Sequence, residues 1–174
     1  MSNNKKFAAD IDQIIEKYAD MVYRLAISEM KNANDADDIF QEVFIRLVKH
    51  IDALKSEEHI KAWLIRVTIN CSRKSFSNFW NKNVKGFEEG DYEKYGEEDI
   101  ELIKIEEADD FVYDAVIALP DIYRRMIHLF YYEELSVREI SELLGKKEST
   151  VKSQLYRGRE LLREILKGGM CDEK

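Results

Sequence analysis

The chain has 174 residues, 45% apolar and 36% charged, with a net charge of -8, a composition that suits one helix-rich domain or two small ones. No run of eighteen apolar residues occurs and the opening MSNNKKFAAD lacks an apolar signal core, so membrane insertion and export are set aside and a cytoplasmic chain is expected. Cys71 and Cys171 have no CxxC or HxxxC neighbour, His50, His59 and His128 are dispersed, and there is no phosphate-cradling glycine loop; these absences predict no metal, no cofactor and no enzyme active site.

Seven glycines, a single proline (Pro120) and no alternating strand pattern predict an all-α fold. Ile11, Ile14, Ile15, Tyr18, Met21, Val22, Leu25 and Ala26 recur at helical steps, and this first helix should end near Lys31. Asn32, Ala33 and Asn34 form a turn, and Asp35, Asp37 and Asp38 put negative charge in the first turn of a second helix, where its dipole favours it. That helix should bury Ala36, Phe40, Val43, Phe44, Leu47 and Ile51, leaving Asp38, Gln41, Glu42 and Ile45 together on the opposite side. An isoleucine among outward carboxylates is compatible with a partner surface, and equally with a single exposed apolar residue of no consequence.

Asp52 to Glu58 reads as a polar connection. A third helix follows, with Ile60, Trp63, Leu64, Val67 and Cys71 inward and Lys61, Arg66, Arg73 and Lys74 outward. A second stripe, Ile65, Ile69 and Phe76, with Phe79 and Trp80 beyond, interleaves rings and cations. These rings could pack against another helix or form a stacking platform for unpaired bases.

From Asn81 to Asp110 the composition shifts to 12 acidic against 4 basic residues, so the rest of the chain, with 23 of each, is neutral. With Gly86, Gly90 and Gly96, the segment predicts a self-repelling tether between helical domains 1–80 and 111–168. Phe111, Val112, Ala115, Val116 and Leu119 are then periodic. Pro120 is placed at the first position of another helix, whose core side is Ile122, Met126, Ile127, Leu129 and Phe130.

Ser136 followed by Glu139 is a capping box, predicting a short helix with Ile140, Leu143 and Leu144 inward and a stop at Gly145. Lys146, Lys147 and Glu148 make the turn, and Ser149 or Thr150 caps a last helix with a buried stripe of Val151, Leu155, Gly158 and Leu162. Its far side carries Ser149, Lys152, Ser153, Tyr156, Glu160 and Arg163, flanked by Arg157 and Arg159. Leu135 to Arg163 holds seven Lys and Arg against four Asp and Glu, a basic element in an acidic chain. Two short helices of this spacing suit a DNA-reading helix-turn-helix, although an Arg-rich helix can also be only a solvated face.

Three stretches in order carry a resemblance: DADDIFQEVFIRL at Asp35 to Leu47, KAWLIRVTIN at Lys61 to Asn70, and LPDIYRRMIHLFYYEELSVREISELLGKKESTVKSQLYRGRELL from Leu119 to Leu162. The chain resembles the extracytoplasmic-function (ECF) sigma factors of the sigma-70 family, specificity subunits of bacterial RNA polymerase. The resemblance implies region 2 in residues 1–80 and region 4 in residues 111–168, which would direct core polymerase to promoters and initiate transcription. It implies contacts of Asp38, Gln41, Glu42 and Ile45 with the clamp helices of the largest polymerase subunit, and of region 4 with the flap of the second-largest. The loop 52–59, with Lys61, Arg66, Asn70, Arg73 and Lys74, would meet the minus-ten element; Ser149, Thr150, Lys152, Ser153, Tyr156, Arg157 and Arg159 would meet the minus-thirty-five element. An anti-sigma factor is the further partner implied.

Overall fold

A computed structural model describes the backbone of residues 3–80 and 110–171, and the side chains of 11–75 and 110–168. The described residues are helical, without strands: α1 (Asn3–Met30), α2 (Ala33–His50), a 3-10 turn (Ile51–Ala53), α3 (Glu57–Trp80), α4 (Asp110–Ile117), α5 (Asp121–Ile127), a π turn (His128–Tyr132), α6 (Val137–Leu144) and α7 (Glu148–Cys171). The chain divides into two compact units, residues 1–87 and 88–174. The expected tether lies outside the described residues, apart from Asp110.

In the first unit α1, α2 and α3 pack on one another. Lys31 takes a left-handed φ of 62°, reversing the chain directly after α1. The Asn32 side chain accepts from the Asp35 amide, so α2 starts at Ala33, earlier than the acidic residues suggest. The core joins Tyr18, Val22, Ala26 and Met30 of α1 to Ala36, Ile39, Val43, Phe44 and Leu47 of α2 and to Ile51, Leu54, Leu64 and Cys71 beyond. Full burial of a leucine such as Leu47 or Leu64 is worth about 1.5–3 kcal/mol. Phe40, expected in this core, is half-buried against the Tyr23 and Phe44 rings, and Ile39 takes the inner place.

Ile65 and Ile69 are buried, as are Thr68 and Ser72, whose hydroxyls donate to the carbonyls of Leu64 and Thr68. The two isoleucines of the second stripe are thus interior side chains. The side chains of Phe76, Phe79 and Trp80 lie outside those described.

In the second unit α7 is the centre, packed by α4, α5 and α6. Val151, Leu155 and Leu162 are fully buried, with Ala115, Val116, Leu119, Met126, Ile127, Leu129 and Ile140 around them. Gly158 permits the approach of α5: a Cβ there would lie 3.2 Å from Ile127 Cγ1 and 3.4 Å from Tyr123 Cβ. Pro120 precedes α5 in an extended conformation (ψ 148°) instead of occupying its first turn, and Ile122 is exposed at the start of the helix, not in the core.

Arg124 is buried, donating to the Leu119 carbonyl and to Asp121. α5 then widens into the π turn, where buried His128 stacks on Tyr132 and its Nε2 lies 3.1 Å from Glu133 Oε1.

Candidate nucleic-acid and partner interfaces

The hairpin α6–α7 is built as its sequence dictates. The Ser136 hydroxyl accepts from the Glu139 amide and the Glu139 carboxylate accepts from the Ser136 amide, closing the capping box at 3.1 and 2.7 Å. Gly145 ends α6 at φ 64°, a conformation that costs glycine nothing. α7 opens at Glu148, so Ser149 and Thr150 sit in its first turn and are not its caps.

Four burials along α7 match the predicted stripe: Val151, Leu155, Gly158 and Leu162. The outer side differs from expectation at two residues. Ser153 is 5% exposed, its hydroxyl turned back to the Ser149 and Thr150 carbonyls at 3.0 and 3.1 Å, the back-bonding a short side chain makes readily. Arg159 is 2% exposed: its Nε donates to Tyr131 Oη at 2.6 Å, and its guanidinium lies over the Phe130 and Tyr131 rings at 5.4 and 5.6 Å. Neither can be offered to a groove in this arrangement. Arg157 is exposed and reaches Glu160, Ser149 is exposed, and Lys152, Tyr156 and Thr150 are half-buried. Lys152, Tyr156 and Arg157 are thus the long donors and the ring presented by the outer side of the first half of α7, with half-buried Arg163 beyond them.

On α3, Arg66, Asn70, Arg73 and Lys74 are exposed and, at 3.6 residues per turn, share roughly a 100° arc. Lys61 is half-buried and lies off that arc. Near the start of α3, Ile14, Tyr18, Ile51, Leu54 and Ile60 line a cleft of about 480 Å³, rimmed by Lys55 and by Lys17 and Glu57, which pair with each other. The loop 52–59 borders this cleft. Asn70 does not line it; it lies ten residues of helix beyond Ile60, about 15 Å along α3.

On α2, Asp38, Gln41 and Ile45 are exposed and Glu42 half-buried, all away from the core, as their spacing predicts. Two features escaped the sequence reading. Val48, one turn beyond Ile45, is as exposed as it is, giving an apolar pair of 52% and 53% exposure beside the acids. Glu42 already holds the Arg46 Nε at 2.7 Å. The bond to Glu42 raises the guanidinium pKa, and burial pushes the nearby Cys71 thiol up, an effect Arg46 partly offsets. Arg46 could have been found from its i,i+4 spacing to Glu42.

Among the described residues no group of three or more His, Cys, Asp or Glu side chains could hold a metal ion, and no helix is long and apolar enough to cross a membrane. Residues 14–79 match the family model for sigma-70 region 2, and residues 112–162 match that for sigma-70 region 4. The chain is 32% identical over 165 residues to the ECF RNA polymerase sigma factor SigW of Bacillus subtilis, an alignment covering 88% of this chain and 87% of that one. It is 29% identical to the ECF RNA polymerase sigma factor SigM of the same organism, over 94% of this chain and 99% of the relative. In fold it resembles the sigma factor RpoE from Bartonella quintana, solved in complex with the anti-sigma factor NepR: TM-score 0.66, 21% identity, 91% of this chain and 97% of that chain covered.

Proposed function

The chain belongs to the ECF RNA polymerase sigma factors, and from that premise we propose a division of labour between its two units. Residues 1–80 bind core polymerase and engage the minus-ten element, residues 81–110 tether, and residues 111–168 read the minus-thirty-five element. The observation that carries this is the pairing, in one chain, of an acidic and apolar face on α2 with a capped helix-turn-helix whose outer side offers Lys152, Tyr156 and Arg157.

The α2 face suits the clamp helices of the largest subunit: Ile45 and Val48 supply apolar area, while Asp38, Gln41 and Glu42 supply acceptors around it. The arc of Arg66, Asn70, Arg73 and Lys74 on α3 suits a separated strand, with cations for phosphates and an amide for a base edge. The cleft beside loop 52–59 is apolar enough to receive an unstacked base. On α7, Lys152 and Arg157 can meet guanine edges or phosphates, and Tyr156 offers a ring and a hydroxyl. Ser149 and Thr150, in the first turn, offer hydroxyls that suit a phosphate at the helix N-terminus.

The chemistry of nucleotide polymerisation belongs to the polymerase, and the chain acts in the cytoplasm as a non-catalytic specificity subunit. Region 4 would lean on the flap of the second-largest subunit, and an anti-sigma factor would hold the chain inactive; the sigma factor of Bartonella quintana was solved in complex with an anti-sigma factor. The test is transcription: purified chain added to core polymerase and a promoter library should yield promoter-dependent transcripts. DNA binding without such transcripts would identify an ordinary regulator, and polymerase binding without them a sequestering protein; either overturns the reading.

A further inference from the structure

We infer that Arg159, together with Phe130 and Tyr131 of the π turn, is a positioning residue that fixes the rotation of α7 and thereby which side chains α7 offers to DNA. This rests on the reading of α7 as the DNA-reading helix. The observations are three. Arg159 is 2% exposed, and its Nη1 and Nη2 are buried without hydrogen-bond partners, so it forms no buried ion pair. Its compensation is directional: one bond from Nε to Tyr131 Oη at 2.6 Å, and two ring faces at 5.4 and 5.6 Å from the guanidinium carbon. The two rings are themselves locked edge to face at 5.0 Å.

A hydrophobe of similar volume would fill this place without desolvating a cation. What a hydrophobe lacks is a donor whose direction fixes an angle. Arg159 follows Lys152 by seven residues and Tyr156 by three, on the same edge of α7 by helical spacing, so a rotation there carries both reading candidates with it. The apolar stripe of α7 packs on Ile127 through Gly158, and the Arg159 bond adds to that non-directional packing a constraint with a defined angle. The π turn contributes by widening the backbone where α5 would otherwise continue, which re-aims Phe130 and Tyr131 relative to an unbroken α-helix.

The test compares holoenzymes carrying the full chain as wild type, Tyr131→Phe, Arg159→Lys and the double variant, on a promoter library randomised separately at the minus-thirty-five and minus-ten elements, at several salt concentrations. Tyr131→Phe keeps both rings and the charge and removes only the acceptor; Arg159→Lys keeps the charge and loses the planar fork. The expected result is a change in base preference of roughly twofold to thirtyfold at the minus-thirty-five positions read by Lys152 and Tyr156. Minus-ten preference and the salt slope should stay unchanged, and the double variant should be no worse than the more severe single. Non-additivity is the mark of one shared bond.

A uniform weakening on all sequences with a salt slope lower by about one would make Arg159 a phosphate contact and overturn the inference. Unchanged preference in both single variants would overturn it equally. Lys152→Ala and Tyr156→Ala run beside them: if those two leave preference intact, the reading of α7 fails and the positioning role with it. If they abolish preference while Tyr131→Phe and Arg159→Lys do not shift it, positioning alone fails.

Discussion

At the residue scale, burial decides what a side chain is for. Cys71 shows this on the core side: 6% exposed in the first unit, with its thiol pushed above its ordinary pKa by burial, it holds little of the reactive thiolate at neutral pH. Alkylation of Cys71 at neutral pH, followed by peptide mass spectrometry, should therefore be slow in the native chain and rise sharply in denaturant. Because the folded state holds the protonated thiol, this contribution to stability is fully present below the ordinary thiol value and is lost as pH rises through the raised one. Fast native labelling would show that the α1–α2–α3 core opens there.

On the outer side, Asp38 is exposed and opposite the core. Asp38→Lys should weaken binding to core polymerase severalfold while changing folding stability by less than about 0.5 kcal/mol, read by thermal melting alongside a binding titration. Glu42→Lys also breaks the Arg46 bond, an exposed i,i+4 pair worth about 0.3–0.5 kcal/mol, so its melting temperature should fall slightly further. A large loss of stability in either variant would make the face structural.

At the scale of elements, the local signals in the sequence were sufficient where geometry is local. The Ser136 and Glu139 box, the Gly145 stop and the Val151, Leu155, Gly158 and Leu162 stripe each depend on neighbours one turn away along the same helix, and each stands in the structure as spaced. What was not legible depends on partners distant in sequence. Arg159 lies at the edge of the α7 stripe, and only the arrival of Tyr131, 28 residues earlier, buries it. Ile65 and Ile69 read as a second face, and the structure buries both.

The meeting of α5 and α7 gives a prediction at this scale. Gly158→Ala gains about 1 kcal/mol of helix propensity but sets a methyl 3.2 Å from buried Ile127, so the two effects should nearly cancel. Gly158→Val has no such balance and should cost about 1–3 kcal/mol by denaturant unfolding. A neutral valine would show that the helices part easily.

At the scale of the whole molecule, the net charge of -8 is carried by residues 81–110, which leaves the remainder neutral. The composition of that stretch, acidic and punctuated by three glycines, leads us to expect the earliest cuts of limited proteolysis between 81 and 110, releasing two helical fragments. Early cuts inside α1, α2 or α3 would contradict the proposed domain division.

The most direct test of that division replaces Lys152, Tyr156 and Arg157 together by alanine and measures, on assembled holoenzyme, both affinity for core polymerase and base preference across the minus-thirty-five element. The account predicts unchanged core affinity and lost preference, with each base reader contributing roughly 1 to 3 kcal/mol of discrimination. Preference retained by the triple variant would show that α7 does not select promoters, and lost core affinity would show that the two units do not divide the work.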